Sequence, residues 1–161
     1  MISVRHSTHI DTAFQTFCDQ LNKEFRVRYP GSQHNFEPYN TVNDTSRVVI
    51  AYAGDIPAGC GCFRPTEEKG TIEIKRMYVR EDFRGLGIAK IVLIELEKWA
   101  VTEGFTHSKL ETGVKQPEAI ALYTRNGYQQ IPNYPPYVGV DLSICMIKKL
   151  VQPGAAQKLD R

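Results

Sequence analysis

Arg84-Gly85-Leu86-Gly87-Ile88-Ala89 decides how this 161-residue chain is read. An extended apolar run ending at Val79 precedes it, and an amphipathic stretch follows it to about Glu103. Glycines at a strand-to-helix turn let the backbone come close to a ligand, and the first amides of the helix have no internal acceptor. Those amides sit at the positive end of the helix dipole, so the expected guest is an anion, and a pyrophosphate fits best.

Two common nucleotide signatures do not fit. A nucleoside-triphosphate loop needs G-x-x-x-x-G-K-[ST], and a dinucleotide fingerprint needs G-x-G-x-x-G near the start of a βαβ unit. This chain reads Gly85-x-Gly87-x-x-Lys90, past its midpoint.

The pattern R-x-x-G-x-A after Glu73-Ile74-Lys75-Arg76-Met77-Tyr78-Val79 resembles the acyl-CoA-binding signature of the GNAT superfamily of N-acetyltransferases. Downstream, Glu118-Ala119-Ile120-Ala121-Leu122-Tyr123 with Gly127-Tyr128 resembles that superfamily's second signature. The resemblance covers about residues 1 to 149 as one domain, with 150 to 161 as a tail. It implies an α/β fold: a central mixed, mostly antiparallel sheet of six to seven strands flanked by about four helices.

The local signals agree with that class. Phe14, Phe17, Cys18, Leu21 and Phe25 recur at steps of three and four, which predicts a helix with Thr8-x-x-Asp11 as its capping box and Tyr29-Pro30-Gly31 as its stop. Residues 32 to 45 are polar, contain Pro38, and read as a loop with one short helix. Arg47 to Ala53 and Ala58 to Arg64 form a hairpin, and Thr71 to Val79 is the next strand. Ile88, Ile91, Val92, Leu96 and Trp99 form a helical stripe closed by Gly104. His107 to Thr112, Pro117 to Arg125, Tyr128 to Ile131 and Leu142 to Lys149 then read as strand, helix, strand and strand.

Composition narrows the function classes. At 42% apolar residues the chain buries one core, and a net charge of +2 is too mild to argue for nucleic acid. No apolar leader follows Met1 and no run reaches the roughly 18 residues of a membrane span, so a cytoplasmic protein with no membrane partner is expected. Cys18, Cys60, Cys62 and Cys145 lack zinc-site spacing and read as reduced, mostly buried residues, with no metal.

The resemblance implies an acetyl-CoA co-substrate. Backbone of Met77, Tyr78 and Val79 would pair with its pantetheine arm, amides of Arg84, Gly85, Leu86, Gly87, Ile88 and Ala89 would hold its pyrophosphate, and Gln116 would stand near the pantetheine where many members have asparagine. Tyr123 matches the tyrosine that gives a proton to the departing sulfur. Glu73 matches the general base of some members; its other reading is an ion pair with Lys75, two residues on along the same strand face. Glu111 and Glu118 are further carboxylates, each explained as well by a strand-edge or early-helix charge.

For the acceptor, the resemblance points to Arg28, Tyr29, His34, Arg64, Lys75, Tyr134, Tyr137 and Asp141. Arg28, Tyr29, Arg64, Lys75 and Tyr137 are carried as substrate-binding candidates, and cations among them would suit an acceptor that also bears an anion. Asn133-Tyr134-Pro135-Pro136-Tyr137 either walls that pocket or only connects two strands. The expected activity is transfer of acetyl to a small-molecule primary amine, by a monomer or homodimer. Acetylation of a protein N-terminus or lysine, and a non-catalytic acyl-CoA-binding module, are the alternatives.

Overall fold

The computed structural model describes residues 1–31 and 41–151. His34, the Pro38 loop and the tail beyond Val151 therefore lie outside the described residues. Seven strands, β1 (Ile2–Ser7), β2 (Arg47–Ala53), β3 (Ile56–Pro65), β4 (Thr71–Val79), β5 (His107–Gly113), β6 (Gln129–Ile131) and β7 (Ser143–Lys149), make one sheet in the order β1-β2-β3-β4-β5-β7-β6. The β4–β5 pair is parallel, while β1–β2, β2–β3, β5–β7 and β6–β7 are antiparallel. Three α-helices lie among the described residues: α1 (Thr12–Arg28), α2 (Ile88–Thr102) and α3 (Pro117–Arg125). A mostly antiparallel mixed sheet is thus the architecture, as expected.

Backbone packing divides the chain into two units, Met1–Arg64 with Lys75–Leu96, and Pro65–Ile74 with Glu97–Arg161. In the first, Phe14, Phe17 and Leu21 of α1 pack on Val48, Ile50, Cys60, Cys62 and Tyr78. Burying each such aromatic contributes about 2 kcal/mol. Gly61 permits a close approach: a Cβ there would fall 2.4 Å from the Met77 sulfur and 3.0 Å from Val92 and Leu96 side-chain carbons.

In the second unit, register sets two faces. Glu73 lies opposite Lys109, Lys109 opposite Ile147, and Glu111 opposite Cys145. The alternate set carries Ser108, Leu110 and Met146, and here Tyr128 accepts from Ser108 at 2.8 Å while donating to Glu97 at 2.9 Å. Lys148 also reaches Glu97, at 2.8 Å.

Three expectations need correction. The chain begins with β1, which pairs with β2 over Ile2–Ser7; its intermediate and exposed residues leave no apolar run to read. Asp11, not Thr8, caps α1, accepting from the amides of Ala13 and Phe14 at 2.9 and 3.2 Å. The buried stripe of α2 is Ile88, Val92, Leu93, Leu96 and Ala100, whereas Ile91 is exposed.

Candidate active site

In the first unit, the chain leaves β4 through a short 3-10 turn, Glu81–Phe83, and α2 begins at Ile88. Gly85 and Gly87 take φ of 84° and 79°, a region closed to most side chains. Nothing lies within 4 Å of where their Cβ atoms would be, so conformation rather than crowding requires glycine, and the bend faces open space. The amides of Gly85, Leu86 and Gly87 have no backbone acceptor among the described residues, whereas Arg84 N donates to Glu81 O and Ile91 N to Gly87 O. That arrangement can receive a phosphate oxygen.

Arg84 itself points elsewhere. Its Nε donates to Val79 O at 2.8 Å, its Nη2 meets Glu24 of α1, and its guanidinium lies 5.4 Å over the Tyr78 ring. Tyr78 is buried against Phe17, with ring centres 5.6 Å apart, so its side chain belongs to the core and only its backbone faces other tasks. The β4–β5 ladder ends at Ile74, and among the described residues no second strand pairs with that edge of Met77–Val79. Just before this segment Arg76 takes φ 58°, a left-handed conformation that costs a non-glycine residue about 1–2 kcal/mol.

The second unit gathers a side-chain cluster. Glu73 is 5% exposed and accepts from the Tyr134 hydroxyl at 2.7 Å. Lys109 lies 4.2 Å from the centre of the Tyr134 ring and donates to Glu68 at 2.9 Å. Burial, then the Glu73 charge beside it, pushes the Tyr134 phenol well above its usual value, so the proton stays on tyrosine and the bond donates into the carboxylate. Tyr137 is buried and packs edge-on to Tyr134 at 5.6 Å. Asn133 Nδ2 ties this loop by donating to the carbonyls of Tyr137, Val140 and Ser143, each at 3.1 Å.

Tyr123, on α3, is 5% exposed and packs edge-on to Tyr128 at 5.7 Å. Its hydroxyl has no hydrogen-bond partner among the described residues. Burial, followed by the Glu111 charge, holds its phenol above the ordinary value and therefore protonated. Glu111 accepts from Ser143 at 2.7 Å, and Glu118 is exposed in the first turn of α3. The Gln116 side-chain oxygen accepts from Gly113 N at 3.1 Å, which ties it to its own turn.

The remaining acceptor candidates scatter. Tyr29 is buried at the end of α1 against Phe25, Arg28 is half-buried beside it, and Asp141 is exposed. Lys75 is 8% exposed and Arg64 half-buried. The sequence reading missed the role of Tyr134 as the partner of Glu73, the place of Lys109 beside it, and the buried Arg76. No three His, Cys, Asp or Glu side chains converge on a metal position among the described residues, and no described helix is long and apolar enough to cross a membrane. Burial pushes the Cys62 thiol up to about 12, and Cys18, Cys60 and Cys145 are raised as well, so all four described cysteines are neutral free thiols.

An open glycine bend after β4, within a mostly antiparallel mixed sheet, is the framework of a transferase of the acyl-CoA type. The chain belongs to the acetyltransferase (GNAT) family, whose model matches residues 13–128. It is 29% identical over 150 residues to the IAA acetyltransferase of Azospirillum brasilense, covering 92% of this chain and 98% of that one. A Klebsiella pneumoniae structure assigned as an acyl-CoA N-acyltransferase superposes with a TM-score of 0.79 at 30% identity, covering 94% of this chain and 99% of the other. The fold is also that of the PaiA N-acetyltransferase of Thermoplasma acidophilum, solved with coenzyme A, at a TM-score of 0.69, 16% identity and coverage of 91% and 99%.

Proposed function

We propose that this protein transfers acetyl from acetyl-CoA to a small-molecule primary amine by direct attack in a ternary complex. The observation that carries the reading is the Tyr123 phenol, buried, protonated and without a partner among the described residues at the position where the family has a proton donor. Its oxygen is not one of the buried unpartnered polar atoms among the described residues, so it meets open space where a departing sulfur can reach it.

Backbone amides from Arg84 to Ala89 hold the pyrophosphate, and Met77–Val79 offers main-chain bonds to the pantetheine arm. Glu73 takes a proton from the acceptor ammonium, giving a neutral amine. The nitrogen attacks the thioester carbon, the C–S bond breaks with its electron pair passing to sulfur, and Tyr123 protonates that sulfur. The nitrogen gives up its second proton, the phenol is reprotonated, and the products are the N-acetyl amine, coenzyme A and one released proton. The free thiols accord with a reducing cytoplasm.

The test is coenzyme A release, followed with a thiol reagent, from acetyl-CoA over a panel of amines. Amine-dependent release with mass-detected N-acetyl product supports the reading. Acetyl-CoA that raises the melting temperature yet is never consumed makes the chain a binding module.

A further inference from the structure

Arg76 is 7% exposed, and a guanidinium keeps its charge at any physiological pH. Its Nη2 donates to Cys18 O and Asn22 Oδ1, both at 2.8 Å, and its Nε to the Cys18 sulfur at 3.4 Å. Every one of these partners is neutral, since burial keeps the Cys18 thiol protonated. The buried Nη1 has no partner among the described residues.

The contrast with neighbouring arginines is instructive. Arg80 and Arg84, each 39% exposed in their side chains, pair with Asp82 and Glu24, although water could have served them. Arg76, where water cannot serve, has no carboxylate among the described residues. A buried charge without a counter-ion is a large cost that folding alone does not explain. The same residue also bears the left-handed backbone at φ 58°.

We propose that Arg76 is the anchor for a carboxylate carried by the acceptor amine, which makes the acceptor an amino acid or a related amino carboxylate. Asn22 Oδ1 already stands on Nη2 where one carboxylate oxygen would bind. The half-buried Asn22 amide swings aside, and the carboxylate takes Nη2 with one oxygen and the unfilled Nη1 with the other, in the two-point fork that guanidinium offers. This inference rests on the transferase reading.

The experiment measures kcat/KM for amino acids, each paired with its carboxamide and its decarboxylated amine, with an amino phosphonate as a further arm. Wild type should prefer the carboxylate over the carboxamide by about tenfold to a hundredfold, the range of a charge-assisted pair. Arg76→Gln should collapse that ratio and Arg76→Lys should retain part of it, with acetyl-CoA thermal shifts confirming a folded cofactor site. Asn22→Ala, which removes the competing amide, should lower KM for the carboxylate members alone; it decides the matter if Arg76→Gln does not fold. Turnover with no carboxylate preference, a stronger preference for the phosphonate, or a ratio untouched by Arg76→Gln or Asn22→Ala overturns the inference and leaves the transferase standing. No turnover with any amine sinks both.

Discussion

The bend at residues 84–89 presents main-chain amides to open space, whereas the group around Glu73 presents side chains. In the bend the side chains are turned away: Arg84 folds onto Glu24 and Tyr78, and Leu86 is exposed. Around Glu73 the Tyr134 hydroxyl donates to the carboxylate and the Lys109 ammonium lies over the Tyr134 ring. A main-chain site tolerates any substitution that preserves φ and ψ, while a side-chain site is lost with a single atom. Mutation should therefore divide the two regions by kind.

The largest effect is expected at Tyr123. Tyr123→Phe should lower kcat by about a hundredfold or more while leaving acetyl-CoA affinity near wild type, because a general acid matters only as the thiolate departs. Thiol release and calorimetry measured side by side check this, and equal losses in both would make Tyr123 a binding residue. Next comes Gly87→Val, which forces a β-branched residue to φ near 79° and pushes a side chain into the space open to phosphate. Acetyl-CoA affinity should fall by tens of fold, about 2 kcal/mol, with kcat at saturation little changed.

A smaller change is expected for Tyr134→Phe, which removes a 2.7 Å donor to the Glu73 carboxylate. Turnover should drop about tenfold, in line with a charge-assisted bond, with acetyl-CoA affinity unchanged. Unchanged turnover would leave Tyr134 a packing residue.

Alkali should test the second unit as a whole. Tyr123, Tyr128 and Tyr134 all have phenols raised by burial from the usual value of 10.0. A group whose folded value is raised stabilises fully below its unfolded value and progressively less above it, so stability should hold to about pH 10 and then fall. Each phenol removes at most about 1.4 kcal/mol per pH unit. Urea midpoints at pH 8, 9.5 and 11 would reveal it, and a flat series would contradict the burial argument. The smallest effect belongs to Arg84→Ala, expected to weaken acetyl-CoA less than about threefold, since exposed ion pairs contribute little and the amides remain. A tenfold loss would show that the side chain leaves Glu24 to meet the phosphate.

That same division explains what could be read from the letters alone. Main-chain sites write themselves into sequence, because only glycine accepts φ near 80°; Gly85, Gly87, Gly104 and Gly127 all announced their turns. The helix α3 and the strand β4 were bounded to the residue by Pro117, Gly127 and the apolar run to Val79. Tyr134 and Glu73 are 61 residues apart, and nothing local marks one as the other's partner. β1 was invisible for a related reason: an edge strand whose residues are half-buried or exposed shows no apolar period. Arg76 reads as one more surface cation until α1 is laid over it.

Asn133 gives the loop carrying Tyr134 an unusual vulnerability. Its one amide nitrogen faces three carbonyl oxygens, an arrangement that only a donor can satisfy. Slow hydrolysis to aspartate would alter neither size nor shape, yet would set a negative oxygen against three others and spring the loop from within.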